Sequence, residues 1–243
     1  MTTASTTASH GTRLLGALAL ALSGLLALLG LVVSPDDEVQ GASVRLLYIH
    51  VGAISAAYVG FGLCAFGSAM FLWRKAHSMS WDYMAGSCGE VGLLFLGINL
   101  LSGSLWGKHT WGVYWTWDAR LTSTALLFLL FLGYLAVRRL DSDPGARAKR
   151  SAIVALVAVI DIPIVNQSVT WWRSLHQGST FQRADVQMDG LMLFTTFLGV
   201  LAFLTVFAWL SLHRSRTLRL IDLCESTGLD AAIEARMAEG TSV

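Results

Sequence analysis

The sequence predicts an all-α polytopic membrane protein, a bundle of six transmembrane helices with both termini in the cytoplasm. Three observations predict this fold class. Of the 243 residues, 54% are hydrophobic and only 14% are charged, whereas a typical soluble domain has about 25% charged residues. The apolar residues fall into six runs, and the lysine and arginine residues are distributed unevenly over the segments that join these runs.

The first apolar run, residues 14–33, is uncharged and 20 residues long. A helix rises about 1.5 Å per residue, so this length suffices to cross a hydrocarbon core of roughly 30 Å. The alternative is a signal peptide, because Arg13 precedes the run and the head of the chain is rich in Ser and Thr. The length of the run and the lack of an A-x-A site after it favour a retained transmembrane helix.

The remaining apolar runs predict five more spans, at 48–73, 88–106, 121–137, 151–166 and 190–212. The fifth of the six is short and contains Asp161 and Pro163. It is still expected to cross the membrane, because Asp161 should lie near one end of the span, where water is close. Proline is tolerated in a membrane helix whose neighbours satisfy the freed backbone groups.

The orientation follows from the basic residues, because short loops rich in Lys and Arg stay in the cytoplasm. Twelve of the 17 fall on one side: Arg13, Arg74, Lys75, Arg138, Arg139, Arg147, Lys149, Arg150, Arg214, Arg216, Arg219 and Arg236. The other five fall on the opposite side: Arg45, Lys108, Arg120, Arg173 and Arg183. The segments 34–47, 107–120 and 167–189 are therefore predicted to face outward. Topology accounts for the basic residues, so we predict no nucleic-acid partner.

The connections between the spans are short, which favours a single transmembrane unit over residues 1–212. A polar tail follows at residues 213–243. In this tail Leu218, Ile221 and Leu223 have helical spacing, which predicts a short surface helix on the cytoplasmic side.

The three cysteines lie outside the predicted outward segments, at Cys64, Cys88 and Cys224. The chain contains no C-x-x-C pair. This pattern argues against disulfide exchange, an iron–sulfur cluster and covalent attachment of a c-type haem to this chain.

The outward segment 107–120 contains the stretch WGVYWTWDAR. Tryptophan is a common membrane-interface anchor, but the outward side holds six of the nine: Trp106, Trp111, Trp115, Trp117, Trp171 and Trp172. If residues 111–120 are helical, Trp111, Trp115 and Asp118 share one face. Such a face would suit a large flat ligand. Membrane anchoring alone is the alternative interpretation.

Three of the six histidines, His50, His109 and His176, also fall on the outward side. Two imidazoles on opposite faces of a porphyrin give six-coordinate haem iron. A zinc site would need three or four close ligands, and no such spacing occurs. Arg45 and Arg120 lie nearby in the sequence and either pair with an anionic group such as a haem propionate or snorkel to the interface.

These residues carry a specific resemblance to a known family. WGVYWTWDARLTS resembles the WWD motif, W-G-x-x-W-x-W-D, of the haem-handling proteins of cytochrome c biogenesis. The segments RLLYIHV and WWRSLHQGSTF resemble those that flank the motif in the CcmC family, also called haem exporter protein C. The likeness covers about residues 44–212. Tyr114 stands where a fourth tryptophan is common, Gly52 where proline is expected, and His109 has no counterpart.

The resemblance implies a protein of the bacterial cytoplasmic membrane that holds haem b on the outward, periplasmic side. It implies presentation of the haem to the haem chaperone CcmE, in a membrane complex with CcmA, CcmB and CcmD. On this basis His50 and His176 are the axial ligands of the iron. The implied haem platform consists of Trp111, Trp115, Trp117 and Asp118, and Arg45 and Arg120 match basic positions of the same segments.

The expected function is therefore haem binding and transfer, not enzymatic catalysis. A permease subunit of an ABC-type haem exporter is the alternative. Its transport path should carry polar residues at mid-membrane, and the acidic candidates Glu90 and Asp161 are both expected near span ends. An electron-carrying b-type cytochrome is a further alternative, but it would call for histidine pairs deep within the helices.

Overall fold

The computed structural model describes residues 9–73, 78–140, 143–176 and 188–241. In these residues the chain forms eight α-helices and no β-strand. They are α1 (His10–Leu28), α2 (Leu46–Leu72), α3 (Met79–Trp111), α4 (Ala119–Val137), α5 (Pro144–Ala158), α6 (Asp161–Trp171), α7 (Gly190–Thr227) and α8 (Leu229–Thr241). A π-helical turn, Leu29–Val33, extends α1, and a 3-10 turn, Ala42–Arg45, precedes α2.

Six helical segments of the described chain are long and apolar enough to cross a membrane, as predicted. They are His10–Val33, Ala42–Leu72, Met79–Trp111, Ala119–Val137, Pro144–Trp171 and Gly190–Thr227. Helices α5 and α6 together make the fifth span. The all-α, six-span prediction is confirmed.

The fifth span differs from its prediction because it extends at both ends and breaks in the middle. It runs from Pro144 to Trp171, so Asp161 lies near its centre, and the prediction that Asp161 lies near one end is wrong. The break at Val159 and Ile160 follows from Pro163, which has no N–H to donate to the carbonyl four residues earlier. Asp161 is 4% exposed, and its Oδ2 atom has no hydrogen-bond partner.

Helix α7 continues through residue 212, where we placed the boundary between the membrane unit and the tail. Its 38 residues rise about 57 Å, well beyond the thickness of the hydrocarbon core. The polar tail thus begins as an extension of the sixth span, and α8 follows directly after Gly228.

The bundle core forms where α2, α3 and α7 approach closely. A Cβ atom on Gly60 of α2 would lie 2.9 Å from the carbonyl oxygen of Cys88 and 3.0 Å from the Cα atom of Gly92, both on α3. Glycine at this position therefore lets the two backbones touch, as small residues do in membrane bundles. Around this contact pack the large buried side chains of Phe61, Leu96, Phe131, Tyr134 and Phe207.

The two ends of the bundle carry different chemistry. One end holds a buried ionic network in which Arg138 binds Asp82 at 2.6 Å, and Arg147 binds Asp222 at 2.6 Å and Asp82 at 3.4 Å.

Helices α1 and α7 pack antiparallel, since Gly16 contacts Trp209 and Gly30 lies beside Thr195. The start of α1 and the end of α7 therefore lie toward the same end of the bundle.

Candidate functional site

The WWD segment begins where α3 stops. Helix α3 ends at Trp111 because Gly112 adopts the left-handed conformation, with φ of 78°, which ends helices and favours glycine. Residues 112–118 are not helical. The hypothesis of a helix over 111–120 is therefore wrong, and Trp111, Trp115 and Asp118 do not share a helical face. The connecting loop is 112–118, shorter than the predicted 107–120.

The loop folds back on the last turns of α3. The Ser104 hydroxyl donates to the carbonyl of Tyr114 at 2.8 Å, and the Lys108 ammonium donates to the carbonyl of Gly112 at 2.9 Å. The rings of Trp115 and Trp117 meet edge to face, with centroids 5.8 Å apart. Trp117 is 83% exposed, so the loop presents a broad aromatic surface on a framework tied to α3.

Asp118 joins the start of α4 to the segment that follows α6. Its Oδ1 atom accepts the backbone N–H of Leu121 at 3.0 Å and caps α4, as aspartate commonly does. Its Oδ2 atom accepts the Ser174 hydroxyl at 2.5 Å and the backbone N–H of Leu175 at 2.9 Å. Burial alone would raise the pKa of the Asp118 carboxyl, but these hydrogen bonds outweigh it and lower the pKa to about 2.

His176 lies at the end of this same segment. Its Nδ1 atom is 3.5 Å from the Oδ2 atom of Asp118, and its ring meets the ring of Trp111 edge to face, with centroids 4.7 Å apart. Burial lowers the pKa of His176 below its usual value of 6.5, although Asp118 acts in the opposite direction. The imidazole is therefore neutral at physiological pH, the form that binds metals.

His50 lies in the second turn of α2 and packs against α3. Its Nδ1 atom is 3.3 Å from the Ser102 hydroxyl. The Asn99 amide nitrogen donates to the His50 carbonyl at 3.1 Å and lies 3.2 and 3.3 Å from the two ring nitrogens. A Cβ atom on Gly103 would lie 2.8 Å from the His50 ring. The ring of Trp106 meets the imidazole edge to face at 5.8 Å.

The structure brings the two predicted histidine ligands to the same end of the bundle. Arg120 lies two residues after Asp118, whose Oδ2 atom is 3.5 Å from the Nδ1 atom of His176. Helix α3 contacts both imidazoles, through Trp106 and Trp111. Within the described residues, no group of three or more His, Cys, Asp or Glu side chains could hold a metal ion. Each of the two histidines thus has one indole of α3 beside it, Trp106 for His50 and Trp111 for His176.

The two predicted basic residues differ in their partners. Arg45 pairs with Asp36 at 3.1 Å and donates to the backbone carbonyls of Leu31 and Ser34. Arg120 donates only to the carbonyl of Asn166, at 3.4 Å, and its Nε atom is buried without a partner. No carboxylate of the described residues pairs with Arg120. Arg45 therefore secures the α1–α2 connection, whereas Arg120 is available to an anionic ligand.

Four residues of the site were not predicted: Asn99, Ser102, Trp106 and Ser174. The first three lie at spacings of three and four on α3, so they share one face of an otherwise apolar span. This polar stripe was visible in the sequence and could have indicated the neighbours of His50. His109, by contrast, is exposed, and its Nδ1 atom contacts the carbonyl of Leu105 on its own helix.

The chain matches the family model described as Heme exporter protein C over residues 2–226. The chain belongs to this family. The match includes all eight predicted site residues and all six spans of the bundle up to the last turn of α7. It confirms the resemblance on which the site assignment depends.

Individual members of the heme exporter protein C family cover most of the chain. The heme exporter protein C of Bradyrhizobium diazoefficiens is 38% identical over 186 residues, which is 76% of this chain and 70% of that protein. The Haemophilus influenzae protein is 36% identical over 82% of this chain and 80% of its own length. The Escherichia coli K12 protein is 34% identical over 79% and 77%, respectively.

Proposed function

We propose that this protein binds haem b between His50 and His176 and presents it to the haem chaperone CcmE during cytochrome c maturation. Family membership supports a role in haem handling in cytochrome c biogenesis. The six apolar spans and the family support a multi-pass protein of the bacterial inner membrane.

The observation that carries the proposal is the placement of two imidazoles from distant parts of the sequence at the same end of the bundle. The Ser102 hydroxyl donates to the carbonyl of Asn99 at 3.1 Å, so its oxygen is free to accept the Nδ1–H of His50. The Nδ1–H of His176 faces the Asp118 carboxylate. In His176 this tautomer leaves the Nε2 lone pair for the iron, the arrangement that outer hydrogen bonds impose on metal-binding histidines. In His50 the Asn99 amide nitrogen lies 3.3 Å from Nε2, so iron binding at His50 would replace this contact.

The surrounding residues fit haem as cargo. Arg120 supplies a guanidinium with no carboxylate partner among the described residues, and such a group binds a propionate well. The exposed indoles of Trp117, Trp171 and Trp172 supply aromatic surface for a porphyrin. Bound haem supplies the iron and the edge that becomes attached to the partner. The protein binds that haem and orients it, and we propose no enzymatic catalysis by its own residues.

The proposed face is the outward, periplasmic one. The buried ionic network of Arg138 and Arg147 lies at the end opposite the histidines, and the excess of Lys and Arg belongs to that end. The start of α1 and the end of α7 lie there too, which supports cytoplasmic termini. In the proposed complex with CcmA, CcmB and CcmD, the histidine end would then face CcmE.

The permease alternative gains one observation, the buried carboxyl of Asp161 near the centre of the fifth span. Glu90, the other acidic candidate, pairs with Arg214 at 2.7 Å. A transport role for Asp161 predicts that Asp161→Asn abolishes haem movement across vesicles without changing haem binding at the histidines. We favour the haem-presenting function because both imidazoles lie at one end of the bundle, together with a guanidinium that has no carboxylate partner among the described residues.

Absorption spectra of the purified full-length protein test the ligand pair. We expect low-spin bands for the wild type and loss of these bands in His50→Ala and in His176→Ala. His109→Ala is the matched control, because His109 is an exposed histidine of the same end that contacts only its own helix. Low-spin bands that persist in both single variants would contradict the ligand assignment.

A further inference from the structure

The segment that carries His176 is fastened to the bundle through one carboxylate. Helix α6 ends at Trp171, and the residues that follow are largely open to solvent or lipid: Trp171, Trp172 and Leu175 are 59%, 53% and 53% exposed. Apolar packing therefore holds this segment only weakly. Its polar contacts converge instead on the Oδ2 atom of Asp118, which meets the Ser174 hydroxyl, the Leu175 N–H and the His176 imidazole.

The side chain of Asp118 has no free surface for a ligand. It is 6% exposed, and its other oxygen caps α4 through Leu121. Both oxygens are thus occupied by donors of the protein. Hydrogen bonds to an ionised acceptor are stronger than those between neutral groups. A group placed in this way is suited to fix a neighbouring segment and poorly suited to form part of an aromatic platform.

We propose that Asp118 is a positioning residue that acts through His176. Its carboxylate holds residues 174–176 against the start of α4 and accepts the Nδ1–H of His176, so the Nε2 atom faces the ligand. The aspartate of the WWD segment is then an element of the ligand support, and the tryptophans alone form the aromatic surface. The role of Nε2 in iron binding rests on the proposed function; the fastening of the segment does not.

The first test measures the fastening in the haem-free, full-length protein. Asp118→Asn isolates the carboxylate, because asparagine caps helices as well as aspartate does but cannot accept hydrogen bonds on both side-chain atoms. We expect the amide of Leu175 to exchange hydrogen at least about tenfold faster in this variant, because its charged acceptor is lost. Asp189→Asn is the matched control, since Asp189 caps α7 through Leu191. Unchanged exchange at Leu175 would overturn the proposal.

The second test uses haem retention and rescue by free imidazole. Loss of a histidine's outer partner commonly weakens metal binding by about 10- to 100-fold, and we expect Asp118→Asn to release haem faster within this range. Because His176 is misplaced in this variant, Asp118→Asn should also lose part of its low-spin bands. Free imidazole in the buffer should restore them, as it should in His176→Gly. If Asp118 instead contacted the haem directly, imidazole would leave Asp118→Asn unrestored, and the positioning role would be wrong.

The two tests separate this inference from the proposed function. If His176 is not an iron ligand, His176→Ala keeps the wild-type spectrum while Asp118→Asn still speeds exchange at Leu175. If His176 is a ligand but Asp118 does not position it, His176→Ala loses the low-spin bands, and Asp118→Asn matches the wild type in both exchange and haem release.

Discussion

The two histidines of the site are held in place by different means. His50 belongs to a long helix, and the face of α3 that meets it is built from the buried polar side chains of Asn99 and Ser102. His176 lies on an irregular segment after α6 and depends on the carboxylate of Asp118. One imidazole is therefore fixed by helix packing and neutral hydrogen bonds, and the other by a charged contact at the surface.

If haem binds and is passed on as proposed, this difference predicts which histidine would dissociate first from the iron. The His50 ring is enclosed by Asn99, Ser102 and Trp106 of α3, and dense interiors resist small shifts of such a side chain. Moving His176 requires only that hydrogen bonds to Asp118 break, because the segment buries little apolar surface. If haem binds between the two histidines as proposed, His176 would be the ligand that dissociates during transfer, and His50 would remain with the helices.

The largest effect is expected from a substitution that crowds His50, the histidine that is held by helix packing. In Gly103→Ala the new Cβ atom would lie 2.8 Å from the His50 ring, so the imidazole must turn away. Overpacking of this kind costs about 1–3 kcal/mol, which corresponds to haem binding weaker by about 5- to 150-fold. Gly97→Ala is the control on the same helix, since its Cβ atom would lie 3.6 Å from Phe128. Haem titration measures the difference, and equal affinities would contradict a packed His50.

The next effect concerns the cation that lies near both histidines. Arg120→Gln removes a guanidinium that has no carboxylate partner among the described residues, and hydrogen bonds to charged groups contribute about 1.5–3 kcal/mol. We expect haem affinity to fall by about tenfold or more in a haem titration. Arg45→Gln breaks the partly exposed pair with Asp36, which contributes about 0–1 kcal/mol, and the hydrogen bonds to the carbonyls of Leu31 and Ser34. Because these contacts join α1 to α2, the substitution should change haem affinity little. A larger loss for Arg45→Gln would reverse the assignment of the anion-binding residue.

The fold was largely predictable because each membrane span corresponds to a continuous apolar run of the sequence. The ends of the helices were harder to predict. Pro144–Trp171, for example, begins and ends with polar residues, so only its middle forms an apolar run. The sequence did contain evidence against a helix over residues 111–120, because Gly112 directly follows Trp111 and glycine commonly ends helices. The contacts of His50 with Asn99 and of His176 with Asp118 join residues 49 and 58 positions apart. Sequence spacing carries no information about such pairs.

A smaller effect is expected at His176, the histidine whose segment is held by the Asp118 carboxylate. Ser174→Ala removes the shortest hydrogen bond to Asp118 and also the acceptor of the His176 backbone N–H, at 3.1 Å. Because one partner is ionised, we expect a cost of about 1.5–3 kcal/mol to the docking of the segment. Part of this cost will appear as faster haem release, measured by transfer to a haem-scavenging protein. Release at the wild-type rate would show that Ser174 does not support His176.

The smallest effect is expected when the hydroxyl group beside His50 is removed in the same way. Ser102→Ala removes the acceptor of the His50 Nδ1–H but leaves the ring enclosed by Asn99, Trp106 and the backbone at Gly103. A neutral hydrogen bond contributes about 0.5–1.5 kcal/mol, so haem release should speed up by only about two- to tenfold, less than in Ser174→Ala. Both variants delete one hydroxyl, so the comparison isolates the way in which each histidine is held. If Ser102→Ala released haem faster than Ser174→Ala, His50 would be the more weakly held ligand, and the inferred order of dissociation would be reversed.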